Sequence, residues 1–263
     1  MMKPVVNIKG KTSVRLTMPL LLFLLCLASS LAWSQPAVII GYAYDVSKGS
    51  LYYTEAYRNH YDLQGKLLSS DVVYQGPDKT TVLATKHLHY QKHPYAPEFT
   101  FSNHAVHYEE SVSWLNGNTV LVRTKESGDQ WRERRLEVAE PIVADAGFDV
   151  FLKDHMATLL AGKTLHFNFL NPARLDWFRF CAEAVEQSVS TVTLRVYPDN
   201  ALLRWLVDPI LLTYELPSTP RESPKLLHYS GLTNLSLTGS SPVEANIFYE
   251  YEQAKPQQIV KLF

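Results

Sequence analysis

Cysteine is nearly absent, with two in 263 residues, Cys26 and Cys181. That excludes a small disulfide-stapled scaffold. Glycine is also sparse, at 11 residues without a period, so a collagen-like repeat is excluded. An excess of cations is missing too: 25 Lys+Arg stand against 26 Asp+Glu. The first 34 residues hold four of those cations (Lys3, Lys9, Lys11 and Arg15) and no acid, which leaves 21 against 26 and a net charge of -5 for the rest. A general nucleic-acid binder needs a basic surface to displace counterions, so nucleic acid is not an expected partner. Familiar catalytic signatures are lacking as well: no Gly-x-Ser-x-Gly, no His-Glu-x-x-His and no Cys-x-x-Cys occurs. The chain does have 46% hydrophobic and 12% aromatic residues, enough to build a packed core rather than a disordered coil.

The N-terminus reads as a secretory signal peptide. A basic region ends at Arg15, an apolar stretch runs from Leu16 to Leu31, and cleavage is expected after Ala32 or after Ser34. The stretch falls short of the roughly 20 apolar residues of a membrane-spanning helix. Leu25 stands before Cys26 where lipoprotein processing requires a small residue. The expected organisation is a cleaved leader over 1–34, a single antiparallel β-domain over 35–253 and a C-terminal tail over 254–263, in a periplasmic protein. Cys181 is then the one remaining cysteine. It stands between Phe180 and Ala182 in a strand-like run and reads as a small buried apolar residue, because no base lies near it in the sequence.

Beyond the leader, apolar residues recur with period two between turn residues. Strands are expected over 38–45, 51–58, 67–74, 81–90, 99–103, 112–115, 119–122 and 132–138. Asn116-Gly117 predicts a hairpin with a type I′ turn, both central residues having positive φ. One segment changes period: Phe148, Phe151, Leu152, His155, Met156, Leu159 and Leu160 form a single helical stripe, with Asp145 as cap and Gly162 as stop. Strands resume over 165–169, 175–184, 191–197, 210–216, 226–229 and 245–251. A short helix is expected over 200–207, ending before Pro209. The fold class is therefore mainly β: an antiparallel curved sheet or incomplete β-barrel, with one amphipathic helix and one short apolar helix covering it. An outer-membrane barrel conflicts with the 148–160 helix and the proline-rich 217–224 loop.

Five of the nine histidines lie between His87 and His107. His87 and His89 share one strand face and are the candidate metal pair of an alternative, enzymatic reading. His104 and His107 should point to opposite faces of an extended segment. Glu109 and Glu110, as sequence neighbours on a strand, should diverge and cannot flank one bond as glycosidase carboxylates do. Trp131 to Arg135 reads as a charged strand face. Ala157 to Thr164 fits a relaxed phosphate-loop pattern, but the helix precedes the glycine and a strand follows it, the reverse of the order that presents a helix N-terminus to phosphate. The segment from Leu202 through Trp205 and Leu206 to Leu212 is nearly devoid of charge. Such a segment plugs the core, covers a cavity or touches lipid.

Gly41-Tyr-Ala-Tyr-Asp45, Leu51-Tyr-Tyr-Thr-Glu55, Val73-Tyr-Gln-Gly-Pro-Asp78 and the Gly147–Gly162 helix followed by His166-Phe-Asn-Phe-Leu-Asn-Pro-Ala-Arg174 resemble a group of uncharacterised bacterial exported proteins. That group is in turn similar to the lipoprotein-carrier half-barrel superfamily, in which an incomplete barrel with helical lids receives acyl chains. The resemblance implies a sheet that receives acyl chains, and no residue role is carried over from it; the helical stripe and the charge-poor segment themselves make the expected function non-catalytic binding of a lipid-like ligand, in a pocket lined by Phe148, Phe151, Leu152, Met156, Leu202, Trp205 and Leu206. No catalytic residue and no cofactor are expected. An envelope protein acting as a partner, with no ligand cavity, is the other alternative.

Overall fold

Alternation of apolar and polar side chains makes strands here because one face of each strand is removed from water while the other remains wet. The computed structural model describes Met2 and residues 37–252, apart from residues 206, 220, 221 and 240. Apart from Met2, the leader over 1–34 with Cys26, Leu206 and the 254–263 tail lie outside the described residues. The first eight strands form an antiparallel meander: β1 (Ala37–Asp45), β2 (Leu51–Tyr61), β3 (Leu67–Gln75), β4 (Val82–His89), β5 (Glu98–Asn103), β6 (Tyr108–Trp114), β7 (Thr119–Lys125) and β8 (Arg132–Glu137). A two-residue β9 (Ile142–Val143) leads into α1 (Gly147–Asp154) and α2 (Met156–Leu160). A second meander follows: β10 (Leu165–Asn171), β11 (Asp176–Gln187), β12 (Thr191–Pro198), β13 (Ile210–Glu215), β14 (Lys225–Leu232) and β15 (Glu244–Glu252).

The meanders join where β15 pairs antiparallel with β1, Val38 lying opposite Glu252 and Asp45 opposite Ala245. The result is one open sheet of 15 strands with β8 at one edge and β9 at the other. Every pairing is antiparallel except that of β9 with β10. Four residues of chain separate the two edge strands, and side chains link β8 and those residues to the β10–β11 hairpin across a seam. Arg134 pairs with Asp176 at 3.2 Å, the Trp177 indole donates to the Glu137 carbonyl at 3.3 Å, and the Asn168 amide donates to the Ala139 carbonyl at 2.6 Å. The sheet is half-barrel-like, with no backbone ladder across the seam. Edge strand β8 carries charge on nearly every residue, paired as Arg123–Glu133 and Arg132–Glu126, which blunts it against another chain's strand.

The interior is filled by two apolar clusters. One gathers Tyr53, Tyr74, Leu88, Phe99, Phe101, Val112, Trp114 and Val122 from the first meander with Ile142 and Leu170. The other packs Phe151, Leu152, Met156 and Leu159 onto Phe167, Leu194, Val196, Leu212 and Tyr214. Gly147 lets α1 seat: a Cβ there would stand 2.3 Å from the Tyr95 carbonyl oxygen. Gly41 has a similar task in β1. It lies between Glu55 and Tyr249 in the ladder, and with no Cβ beneath them the Tyr249 hydroxyl reaches across the strand to the Glu55 carboxylate at 2.7 Å.

Four local expectations differ from what forms. The helical stripe is broken in two at His155 (φ -103°, ψ 11°), whose ring Nδ1 lies 2.8 Å from the Phe151 carbonyl oxygen. Asp145 does not cap it; Ala146 is the boundary residue, and the Asp145 carboxylate turns inward instead. The Asn116-Gly117 hairpin forms between β6 and β7, but positive φ is absent at both residues because a four-residue loop over 115–118, not a two-residue turn, joins the strands. The short helix over 200–207 is reduced to one 3-10 turn at Leu203–Trp205 that does not cover the sheet. Asn200 Oδ1 accepts the Leu202 amide at 2.8 Å and starts the turn, which has no buried residue to prolong it.

Candidate functional site

The residues expected to line a ligand pocket separate into two groups. Phe151 (2% exposed), Leu152 (0%) and Met156 (5%) are core, and the Phe148 ring packs on Phe167 and Phe169 with centroids 5.4 and 6.0 Å apart. Helices α1 and α2 thus occupy the hollow of the second meander. Leu202 and Trp205 are 74% and 89% exposed. They form a tip beyond β12 whose base is held by Arg204. Its guanidinium donates to the Pro198 and Asp199 carbonyls at 2.8 and 3.1 Å and lies 4.7 Å from the Tyr197 ring centroid. Beside the tip is a cleft of about 410 Å³ lined by Trp177, Phe178, Arg179, Asp199, Asn200 and Leu203.

An unforeseen feature is a row of inner-face residues in register across five strands: Val72, Lys86, Phe101, Glu110 and Thr124. Lys86 is 1% exposed and bonds the Asp145 carboxylate, which also accepts from the Asn234 amide at 3.2 Å. The ammonium lies 5.0 Å from the Phe101 ring centroid. Glu110, 8% exposed, accepts from the Tyr108 hydroxyl at 2.6 Å, and burial pushes its carboxyl up to about 7. Burial also raises Glu55, against the hydroxyls of Tyr249 and Tyr57. Glu109 points outward to Lys125, so the adjacent carboxylates do diverge as expected. Period two already put Lys86 on the Ala84 and Leu88 face; the sequence carried that signal.

His87 and His89 are exposed on the outer face of β4, as their spacing requires. His87 Nδ1 lies 2.7 Å from Asp71, whose other oxygen is 3.3 Å from His60. His104 and His107 are not in an extended segment: they sit in the tight turn between β5 and β6, where His107 has φ of 52°, and both line an open polar cleft of about 570 Å³ with Glu109 and Lys125.

Cys181 is buried as expected, yet it has partners. His166 Nδ1 and Asp199 Oδ1 each lie 3.3 Å from its sulfur and 3.7 Å from each other. Among the described residues, this is the group of three His, Cys or acidic side chains whose ligating atoms converge. The hairpin of β10 and β11 places His166 directly opposite Cys181, and the Asp199 amide donates to the Arg179 carbonyl at 2.9 Å just past the end of β12. Folding the sequence about Pro172-Ala173-Arg174 would have revealed the first pair. Burial, then the Asp199 carboxylate, pushes the thiol up to about 11, so it is not a resting thiolate. Among the described residues, no helix is long and apolar enough to cross a membrane. Comparison of the chain with protein-family models, curated proteins and solved structures found no match.

Proposed function

We propose that the chain is an exported protein of the cell envelope that engages lipid, non-catalytically, through the exposed Leu202 and Trp205 at the tip beyond β12 rather than by storing an acyl chain within the sheet. The observation that carries the reading is the exposure of Leu202 and Trp205 on a tip whose base is fixed by Arg204. Leu202 and Trp205 neither plug the core nor line the cleft, so they remain suited to a lipid surface, and Trp, with an apolar body and a polar N–H, favours the headgroup boundary. Val207 at 40% and Phe178 at 36% exposure add apolar area near the tip and its cleft. The leader-like N-terminus supports the envelope as the site of action.

Vesicles of phosphatidylethanolamine with phosphatidylglycerol test the reading by co-sedimentation. Each side chain transferred from water into the boundary layer contributes about 1.5–3 kcal/mol, so Leu202→Ser and Trp205→Ser should each weaken partitioning about tenfold or more. Their exposure means thermal unfolding should stay unchanged. A wild-type protein that stays in the supernatant, or a double variant that sediments as well as wild type, refutes the proposal.

A further inference from the structure

We infer that His166, Cys181 and Asp199 form a zinc site. The inference stands apart from the lipid reading, since it rests on three side chains of the β10–β12 face and not on the tip. The sulfur, nitrogen and oxygen atoms are separated by 3.3, 3.3 and 3.7 Å. The point equidistant from three atoms so spaced lies about 2.0 Å from each, which matches zinc–nitrogen and zinc–oxygen bonds, and a shift of about 0.3 Å within their plane, away from the sulfur, gives the longer zinc–sulfur bond of about 2.3 Å while the other two stay at about 1.9 Å. A tetrahedral ion with such bonds holds its ligands about 3.3–3.6 Å apart, so the three side chains need to move by only a few tenths of an ångström.

The donor set selects among metals. An imidazole, a thiol that becomes thiolate on binding and one carboxylate suit a borderline-soft divalent ion, whereas magnesium and calcium require oxygen ligands. Two of the three donors are set by backbone pairing, His166 against Cys181 across a regular ladder, so the site is largely preorganised. Arg179 lies 3.7 Å from Asp199 Oδ2 and Arg204 lies 3.8 Å from Oδ1. Arg179 can keep its contact with the distal oxygen while Oδ1 turns to the ion, leaving Arg204 on the backbone carbonyls it already holds. Asp199 also lines the 410 Å³ cleft, which gives a fourth ligand, water or an anionic group, a route to the metal. Three protein ligands with a fourth position open to a cleft is the pattern of zinc sites that bind exchangeable ligands.

Zinc and cobalt titrations of the purified full chain test the site. The expected result is one zinc per chain by elemental analysis after dialysis, and with cobalt a near-ultraviolet thiolate-to-metal charge-transfer band. Cys181→Ser should abolish that band, and His166→Ala and Asp199→Asn should each weaken metal binding at least about tenfold. Circular dichroism of metal-free Cys181→Ser and His166→Ala matching the metal-free wild type shows that the fold is retained; if Cys181→Ser misfolds, His166→Ala, whose residue is exposed, carries the test alone. Absence of stoichiometric metal from folded wild-type protein overturns the inference. So does binding that survives both Cys181→Ser and His166→Ala, which would assign the metal to the outer-face histidines instead.

Discussion

Replacing Glu110 by glutamine removes a charge that the fold holds against its own solvation. Its carboxyl, raised to about 7 from an ordinary 4.5, binds a proton more tightly in the folded chain than in the unfolded one. Stability therefore falls as pH rises from about 4.5 towards 7 and levels off above, the opposite sign to a salt-bridged carboxylate. Between pH 5 and pH 8 this one group should cost the wild type about 2–3 kcal/mol. The Glu110→Gln side chain keeps an oxygen to accept the Tyr108 hydroxyl, and the cost of its unused N–H₂ is the same at both pH values. Urea denaturation of wild type and Glu110→Gln at pH 5 and pH 8 gives the magnitude as a difference of differences, in which every other titrating group cancels. The variant should gain about 2–3 kcal/mol on the wild type over that interval. A stability difference between the two proteins that is the same at both pH values refutes the burial argument.

Two further substitutions probe the interior. Lys86→Met leaves Asp145 without its buried cation and should cost about 3–5 kcal/mol, most of it recovered in Lys86→Met/Asp145→Asn, as measured by denaturant unfolding. Gly147→Ala drives a Cβ into the Tyr95 carbonyl and should cost about 1–3 kcal/mol, visible as a lowered Tm, whereas Gly117→Ala, with open space around it, should change little.

The strands were legible because their signal is local. In β4, Ala84, Lys86 and Leu88 alternate with Thr85, His87 and His89, and the structure follows that alternation. What period two does not reveal is how a lysine on the inner face is satisfied. Asp145, 59 residues away, answers that, and it is the residue whose place ahead of the apolar stripe suggested a helix cap. The hairpin partner of Cys181 was recoverable from strand spacing, but Asp199 arrives from just beyond a third strand and was not. The 202–207 segment shows the opposite limit. Its apolar character was plain, but hydrophobicity alone does not distinguish a side chain facing the core from one facing outward. The break at His155 lies inside an unbroken stripe, because both helical pieces keep their apolar face on the same cluster.

The pairing of β1 with β15 gives assembly a fixed order. Residues 37–45 emerge among the first of the described chain and wait for residues 244–252, so the central ladder closes only after synthesis of the rest. Until then each meander presents a naked strand flank, β1 on one and β14 on the other, able to template a foreign partner. A chain that has not yet brought residues 244–252 to residues 37–45 carries two unprotected edges in the middle of what becomes a single sheet.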